Sequence, residues 1–387
     1  MLLIKNAHLL SMEGDEIENG FLRIGDDGTI AALGEGDIAP FAGEEVMDAK
    51  GAYLVPGFVD AHSHIGLWED SIAFEGADGN EDTDPITPHL RAIDGINPMD
   101  AAFREAREAG VTTVVTGPGS ANPIGGQFAA MKTNGICIDE MLIKAPVAMK
   151  MALGENPKSV YHDRKETPVT RMGTAAVIRE ALFEAKEYMK KWEKYRKNPD
   201  AEDVPDFDFE KEALVPVLTG ALPVKIHAHR ADDMFTALRL AKEFGFSLTL
   251  EHATEGHLIP GYLKKSGVGV CVGPFLGDRS KPELKNLSLS TAKVLSDAGV
   301  PTAIITDHPE TPEKFLPLCA AMAVREGMDP YAALSSITCT AARICGIYDR
   351  VGSLAPGKDA DLLLFDRFPL DFDASLLGVW IDGKRVK

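Results

Sequence analysis

Seven short apolar runs, spaced through the middle of the chain, limit what it can fold into. They are 53–61 (YLVPGFVDA), 111–116 (VTTVVT), 147–153 (VAMKMAL), 223–228 (PVKIHA), 247–253 (SLTLEHA), 267–273 (GVGVCVG) and 301–307 (PTAIITD). Runs without a polar alternate face suit strands covered on both sides. Segments with helical spacing separate several of them, such as NPMDAAFREAREAG at 97–110 and ADDMFTALRLAKEFG at 231–245. The alternation predicts an α/β fold with a parallel sheet covered by helices. Seven strands over about 250 residues fit a (β/α)8 TIM-type barrel, with the missing strand expected near 126–143.

The flanks read differently. LLIKNAHLL, GFLRIG and GTIAALG at the start, and KDADLLLFD and GVWIDGKRV at the end, are short strand-like pieces joined by Gly, Asp and Asn turns. Each flank alone is too small to bury a core. Together, residues 1–54 and 350–387 are expected to form a small composite β-sandwich, leaving 55–349 to the barrel. Two stretches are irregular: a long acidic connection at 69–97, and an insertion at 154–222. The insertion holds one clear helix, in which Ile178, Leu182, Ala185, Met189 and Trp192 recur at helical spacing before Asn198-Pro199 stops it. The acidic run that follows, NPDAEDVPDFDFEKE, reads as a solvated loop.

The strand ends carry the chemistry. In VPGFVDAHSHIGLWED, at 55–70, His62 and His64 project to the same side of an extended chain and make half of a metal site. Lys150 lies inside VAMKMAL, His227 and His229 end PVKIHAH, His252 ends SLTLEHAT and Asp307 ends AIITD. Working residues of such barrels sit at the C-terminal ends of different strands. Ionisable groups gathered there are costly unless a cation draws them together. Glu251, next to His252, is expected to face the opposite side of its strand. The loop TGPGSANPIGGQ at 116–127 lacks the Gly-Lys-Ser/Thr of a phosphate-binding loop and reads as a plain connection. His89, in the long acidic connection, reads as a solvated histidine.

PGFVDAHSH together with VGSLAPGKDADLLLFD resembles the amidohydrolase superfamily over nearly the whole chain, nearest to its imidazolonepropionase-related and Xaa-Pro dipeptidase-like members. The resemblance implies a metal-dependent hydrolase that cleaves an amide-type C–N bond by metal-activated hydroxide. A cyclic amide, a dipeptide or an N-acyl amino acid would be the substrate. Carried over residue by residue, His62, His64, His227, His252 and Asp307 match the metal ligands, and Asp307 also the general base. Lys150 resembles a carboxylated lysine bridging two metals, because AMKMALGEN is similar to the fourth-strand stretch of dipeptidase-like members. One or two divalent ions per chain are implied, with Zn²⁺ the default. His229 and Arg230 are expected to face the substrate. Deaminases and imidazolonepropionase carry an acid or amide where this chain has Arg230. That departure weighs against the alternatives, a mononuclear deaminase or an imidazolonepropionase-type ring hydrolase. Arg230 either binds a substrate carboxylate or pairs with Asp232 or Asp233.

Composition narrows the partners. Lys and Arg number 40 against 59 Asp and Glu, a net charge of −19, which disfavours nucleic acid and anionic membrane surfaces. Cys137, Cys271, Cys319, Cys339 and Cys345 show no CxxC spacing and read as reduced packing residues. MLLIKNAHLL turns polar too soon for a signal peptide. The expectation is a cytoplasmic enzyme with a small-molecule substrate, a homo-oligomer being left open.

Overall fold

Residues 1–69 and 73–387 are described by the computed structural model. The apolar runs become one barrel sheet of eight strands, numbered here β1 (Phe58–Ser63), β2 (Val111–Thr116), β3 (Ile124–Lys132), β4 (Leu142–Ala152), β5 (Val224–Ala228), β6 (Leu248–His252), β7 (Gly269–Val272) and β8 (Thr302–Ile304). They lie side by side in chain order. At the seam the Asp307 N–H donates to His62 O (3.2 Å) and the His64 N–H to His308 O (3.0 Å), nearly closing a TIM-type barrel.

The expected parallel sheet is broken at one strand. β3 runs antiparallel to both β2 and β4. The connections on either side of it, 117–123 and 133–141, are too short for the crossover of a dozen or more residues that parallel neighbours need. The chain therefore turns back as hairpins.

Helices cover the outside. Ala101–Glu108 begins where the Asp100 side chain accepts from Ala102 N (3.1 Å), and Ala231–Phe244 follows β5. The insertion holds three helices, where one was expected: Glu155–Arg164, Arg171–Lys197 and Phe209–Leu218. Arg171–Lys197 buries Ile178, Leu182 and Ala185 and ends at Asn198. Phe209–Leu218 rises out of the acidic run because Asp208 caps it, accepting from Lys211 N (3.0 Å). Pro216 inside that helix hides its period from a sequence reading.

The chain ends meet in a second sheet. Its order is Lys384–Arg385, Leu376–Ile381, Leu362–Phe365, Tyr53–Pro56, Leu2–Leu9, Ile17–Ile24 and Ile30–Glu35, with Glu45–Asp48 also beside Leu2–Leu9. Hydrogen bonds join these strands into one connected sheet. Tyr53–Pro56 makes the join, pairing parallel with Leu2–Leu9 and antiparallel with Leu362–Phe365. Buried Leu9, Leu22, Leu54, Leu362 and Trp380 supply its core. Among the described residues no helix is long and apolar enough to cross a membrane. All five cysteines are free thiols, and only Cys137 is exposed.

Candidate metal centre

Two three-residue clusters stand at the C-terminal pole of the barrel. One is His62, His64 and Asp307; the other is His227, His229 and His252. All six are buried, and within each cluster the ligand atoms lie within 4.8 Å of one another. Asp307 links the two. Its Oδ1 is 3.5 Å from His62 Nε2 and 3.3 Å from His64 Nε2, and its Oδ2 is 3.8 Å from His252 Nδ1.

Each imidazole is held from behind. His64 Nδ1 donates to Gly117 O (2.7 Å) and His252 Nδ1 to Gly273 O (3.0 Å). His227 Nδ1 lies 2.9 Å from Ser120 Oγ, His229 Nδ1 2.7 Å from Thr254 Oγ1, and His62 Nδ1 2.9 Å from Glu251 Oε2. Such backing orients a ring and leaves its other nitrogen for an ion.

The electrostatics favour ligation. Burial, helped by Lys150, lowers the pKa of His62; burial and His252 hold His227 well below the usual value, and burial and His227 do so for His229. Burial brings His252 down to about 3, against the pull of Asp307. These rings are neutral near pH 7, with lone pairs free. Burial pushes the Asp307 carboxyl up, but the neighbouring His252, His62 and His64 hold it well below the carboxylate range, so it is ionised. Lys150 Nζ is 3.5 Å from His62 Nε2, and burial brings its pKa down to about 8. His227 Nε2 is buried without a hydrogen-bond partner. Converging neutral imidazoles with one carboxylate, and an orphaned nitrogen facing inward, fit a borderline divalent cation such as Zn²⁺.

Backbone strain shapes the pole. His252, Ala253 and Asp307 have φ of +73°, +43° and +57°, a region non-glycine residues seldom adopt and one that clusters at functional sites. The turn at His252 breaks strand alternation and corrects the expectation for Glu251. Consecutive residues 251 and 252 both serve the barrel interior, with Glu251 Oε2 reaching His62 Nδ1 and, at 3.0 Å, Lys225 Nζ.

The site opens into a cavity of about 570 Å³ whose walls include Trp68, Ser120, Asn156, Lys281 and Leu284. A larger hollow of about 1170 Å³ lies between the 77–95 connection and helix Phe209–Leu218, and it contains none of the six clustered residues. The chemistry favours the smaller one. His89 lies in the larger hollow, its ring edge-on to Phe209 at 6.1 Å between centroids.

Of the residues expected to meet substrate, Arg230 is placed elsewhere. Its guanidinium grips Asp232 through two hydrogen bonds (2.9 and 2.8 Å) at the start of helix Ala231–Phe244, outside the cavity walls. His229 lines the cavity, but its ring also joins the second donor cluster. The supports Gly117 and Ser120 come from the loop read as a plain connection. Its run of small residues is the one sequence signal that a backbone passes close to something there.

A model of the amidohydrolase family matches residues 223–386. The crystal structure of an amidohydrolase from Thermotoga maritima MSB8 superposes on the whole chain with a TM-score of 0.95, at 43% identity and with all of both chains covered. The chain belongs to the amidohydrolase family. This amidohydrolase is also 32% identical over 363 residues to "Amidohydrolase tasK" of Hapsidospora irregularis, covering 87% of its own length but 37% of that protein. It therefore spans well under half of that curated relative. It is 26% identical over 399 residues to "Imidazolonepropionase" of Geobacillus kaustophilus (strain HTA426), covering 90% and 84% of the two chains.

Proposed function

We propose that this amidohydrolase is a metal-dependent hydrolase of amide-type C–N bonds, acting on a cyclic amide, a dipeptide or an N-acyl amino acid. The observation that carries the reading is the pair of buried donor clusters joined by ionised Asp307. A bound divalent cation, Zn²⁺ first, would supply a Lewis acid that polarises the scissile carbonyl and lowers the pKa of a water toward about 7. His62, His64 and Asp307 would hold one ion, and His227 and His252 a second, with Lys150 between them. Lys150 is fully buried and its pKa of about 8 leaves a share of free amine for CO₂ to add to, giving a carbamate with two oxygen donors. Growth or incubation with ¹³CO₂ should give a carbamate carbon signal that Lys150→Ala lacks.

Asp307 accepts the proton of the attacking water and returns it to the leaving nitrogen. The Trp68 ring, edge-on to His64 at 5.2 Å between centroids, limits water on that side. The small-molecule substrate would enter through the 570 Å³ cavity. Cytoplasm as the compartment, and residues 55–349 as the catalytic unit, belong to the same proposal.

The relative named "Imidazolonepropionase" keeps ring hydrolysis as the second reading. Hydrolysis of a panel of dipeptides, N-acyl amino acids and cyclic amides, with metal analysis of the same sample, tests the proposal. About two ions per chain, turnover abolished by chelation and restored by Zn²⁺, is the expected result. Deamination with a single ion would replace it. Asp307→Asn keeps an oxygen donor but loses proton acceptance, so kcat should fall by about 10² or more while most metal stays. An Asn variant with the wild-type rate would remove Asp307 from proton transfer.

A further inference from the structure

Glu283 belongs to the segment after β7, a stretch with no motif in the sequence, yet its side chain is 1% exposed and points at the second cluster. Its Oε1 lies 3.7 Å from His227 Nε2 and 3.7 Å from His229 Nε2. Those separations are too long for hydrogen bonds. They are close to the spacing of about 3.4 Å between donors around a tetrahedral ion with bonds of about 2.0–2.1 Å.

The other contacts of Glu283 hold it in that pose. Its Oε2 accepts from Glu155 N (3.0 Å) and lies 3.9 Å from Arg171 Nη2, while its own N–H donates to Glu155 Oε2 (3.3 Å). A carboxylate serving only to latch the two loops would be satisfied by these. Oε1 is left for Lys281 Nζ (3.0 Å) on one side and the two imidazoles on the other. His227 Nε2, buried and without a hydrogen-bond partner, faces the same point. Two imidazole nitrogens thus face the Glu283 oxygen, and a ligand atom of His252 lies within 4.8 Å of those of His227 and His229.

We propose that His229 and Glu283 complete, with His227 and His252, a four-donor site for a divalent cation that does not depend on Lys150. The inference rests on the metal-dependent reading above and deepens it. Lys150 would join the two ions, but the ion at the fifth and sixth strands would have four donors of its own. Where Lys150 is replaced, the remaining three nitrogens and one oxygen suit tetrahedral Zn²⁺ or Co²⁺. His229 thereby becomes a ligand as well as a cavity wall, and the segment carrying Glu283 becomes part of the metal site.

The test is metal binding by purified full-length variants, titrated with Zn²⁺ and, separately, with Co²⁺ read by its visible absorption. Wild type should bind two ions, and Lys150→Ala should keep one. Lys150→Ala/Glu283→Gln should bind that ion at least tenfold more weakly, with a changed Co²⁺ spectrum. Lys150→Ala/His229→Asn should do the same from the opposite side of the site. The two partners guard against misfolding in either variant, and urea midpoints identify such a case. If both double variants bind as Lys150→Ala does, Glu283 is a loop latch and the inference falls while the metal-dependent reading stands. If wild type binds no ion, that reading fails and takes the inference with it.

Discussion

At His62 the two ring nitrogens have different neighbours: Nε2 looks toward Asp307, and Nδ1 lies 2.9 Å from Glu251 Oε2. A carboxylate behind a ligating imidazole fixes its orientation and raises its basicity. Glu251 is itself balanced by Lys225 at 3.0 Å, and both are buried. Glu251→Gln should therefore lower stability by about 3–5 kcal/mol, because it leaves the Lys225 ammonium buried without its carboxylate. Adding Lys225→Met should restore much of the urea midpoint but not the metal affinity of the His62 cluster. Full recovery of both would make Glu251 a structural counter-ion and nothing more. The clustered histidines and Asp307 could be picked out in the sequence because each ends an apolar strand, where a packing explanation is poor. Glu251 could not, since a left-handed turn at the non-glycine His252 leaves no mark in the sequence. Glu283 was hidden for another reason: only the folded chain brings its loop over β5.

Elements fix the geometry of these side chains, and the seam between β1 and β8 depends on one buried carboxylate. Asp60 accepts from His62 N (3.0 Å) through one oxygen, and from Thr306 N (2.9 Å) and Thr306 Oγ1 (2.6 Å) through the other. Beside it Glu313 accepts from Ser63 Oγ (2.6 Å). Burial and the neighbouring Asp60 push the Glu313 carboxyl well above its usual range, while burial brings Asp60 up to about 6. Near pH 7 the pair is a neutral acid next to a carboxylate. Glu313→Gln should cost less than about 1 kcal/mol, whereas Asp60→Asn turns an amide NH₂ toward backbone donors and should cost about 1–3 kcal/mol. Urea midpoints at neutral pH compare the two, and equal losses would contradict the assigned protonation. Seven of the eight strands were readable from apolar runs; β3 was expected only as the missing strand near 126–143, and its direction was not readable. Only the shortness of the flanking connections distinguishes a hairpin from a crossover there.

At the scale of the whole molecule, the barrel and the sheet of the chain ends share an apolar core, with Phe58 against Phe365 at 6.0 Å between centroids, and a buried cation joins them as well. Lys132, the last residue of β3, has its Nζ 2.7 Å from Asp361, 2.9 Å from Asp359 and 3.2 Å from Asp382. The terminal strands could be read as one unit because neither flank can bury a core alone. The joint could not, since Lys132 and Asp361 stand 229 positions apart and neither looks unusual in its own segment. Burial lowers the pKa of Lys132, but Asp361, Asp382 and Asp359 outweigh it, so the folded value is raised. A raised lysine pKa contributes stability that is complete below the unfolded value, about 10.4, and is lost as pH rises through the folded one. Lys132→Met should thus cost about 3–5 kcal/mol at neutral pH, leaving buried Asp361 without its cation. The gap between wild type and variant should narrow only at alkaline pH, once Lys132 in the folded wild type begins to lose its proton. Urea midpoints of both proteins from neutral to strongly alkaline pH measure that gap. A gap of constant size across the range would mean that Lys132 holds the two sheets by packing of its methylene stem rather than by its charge.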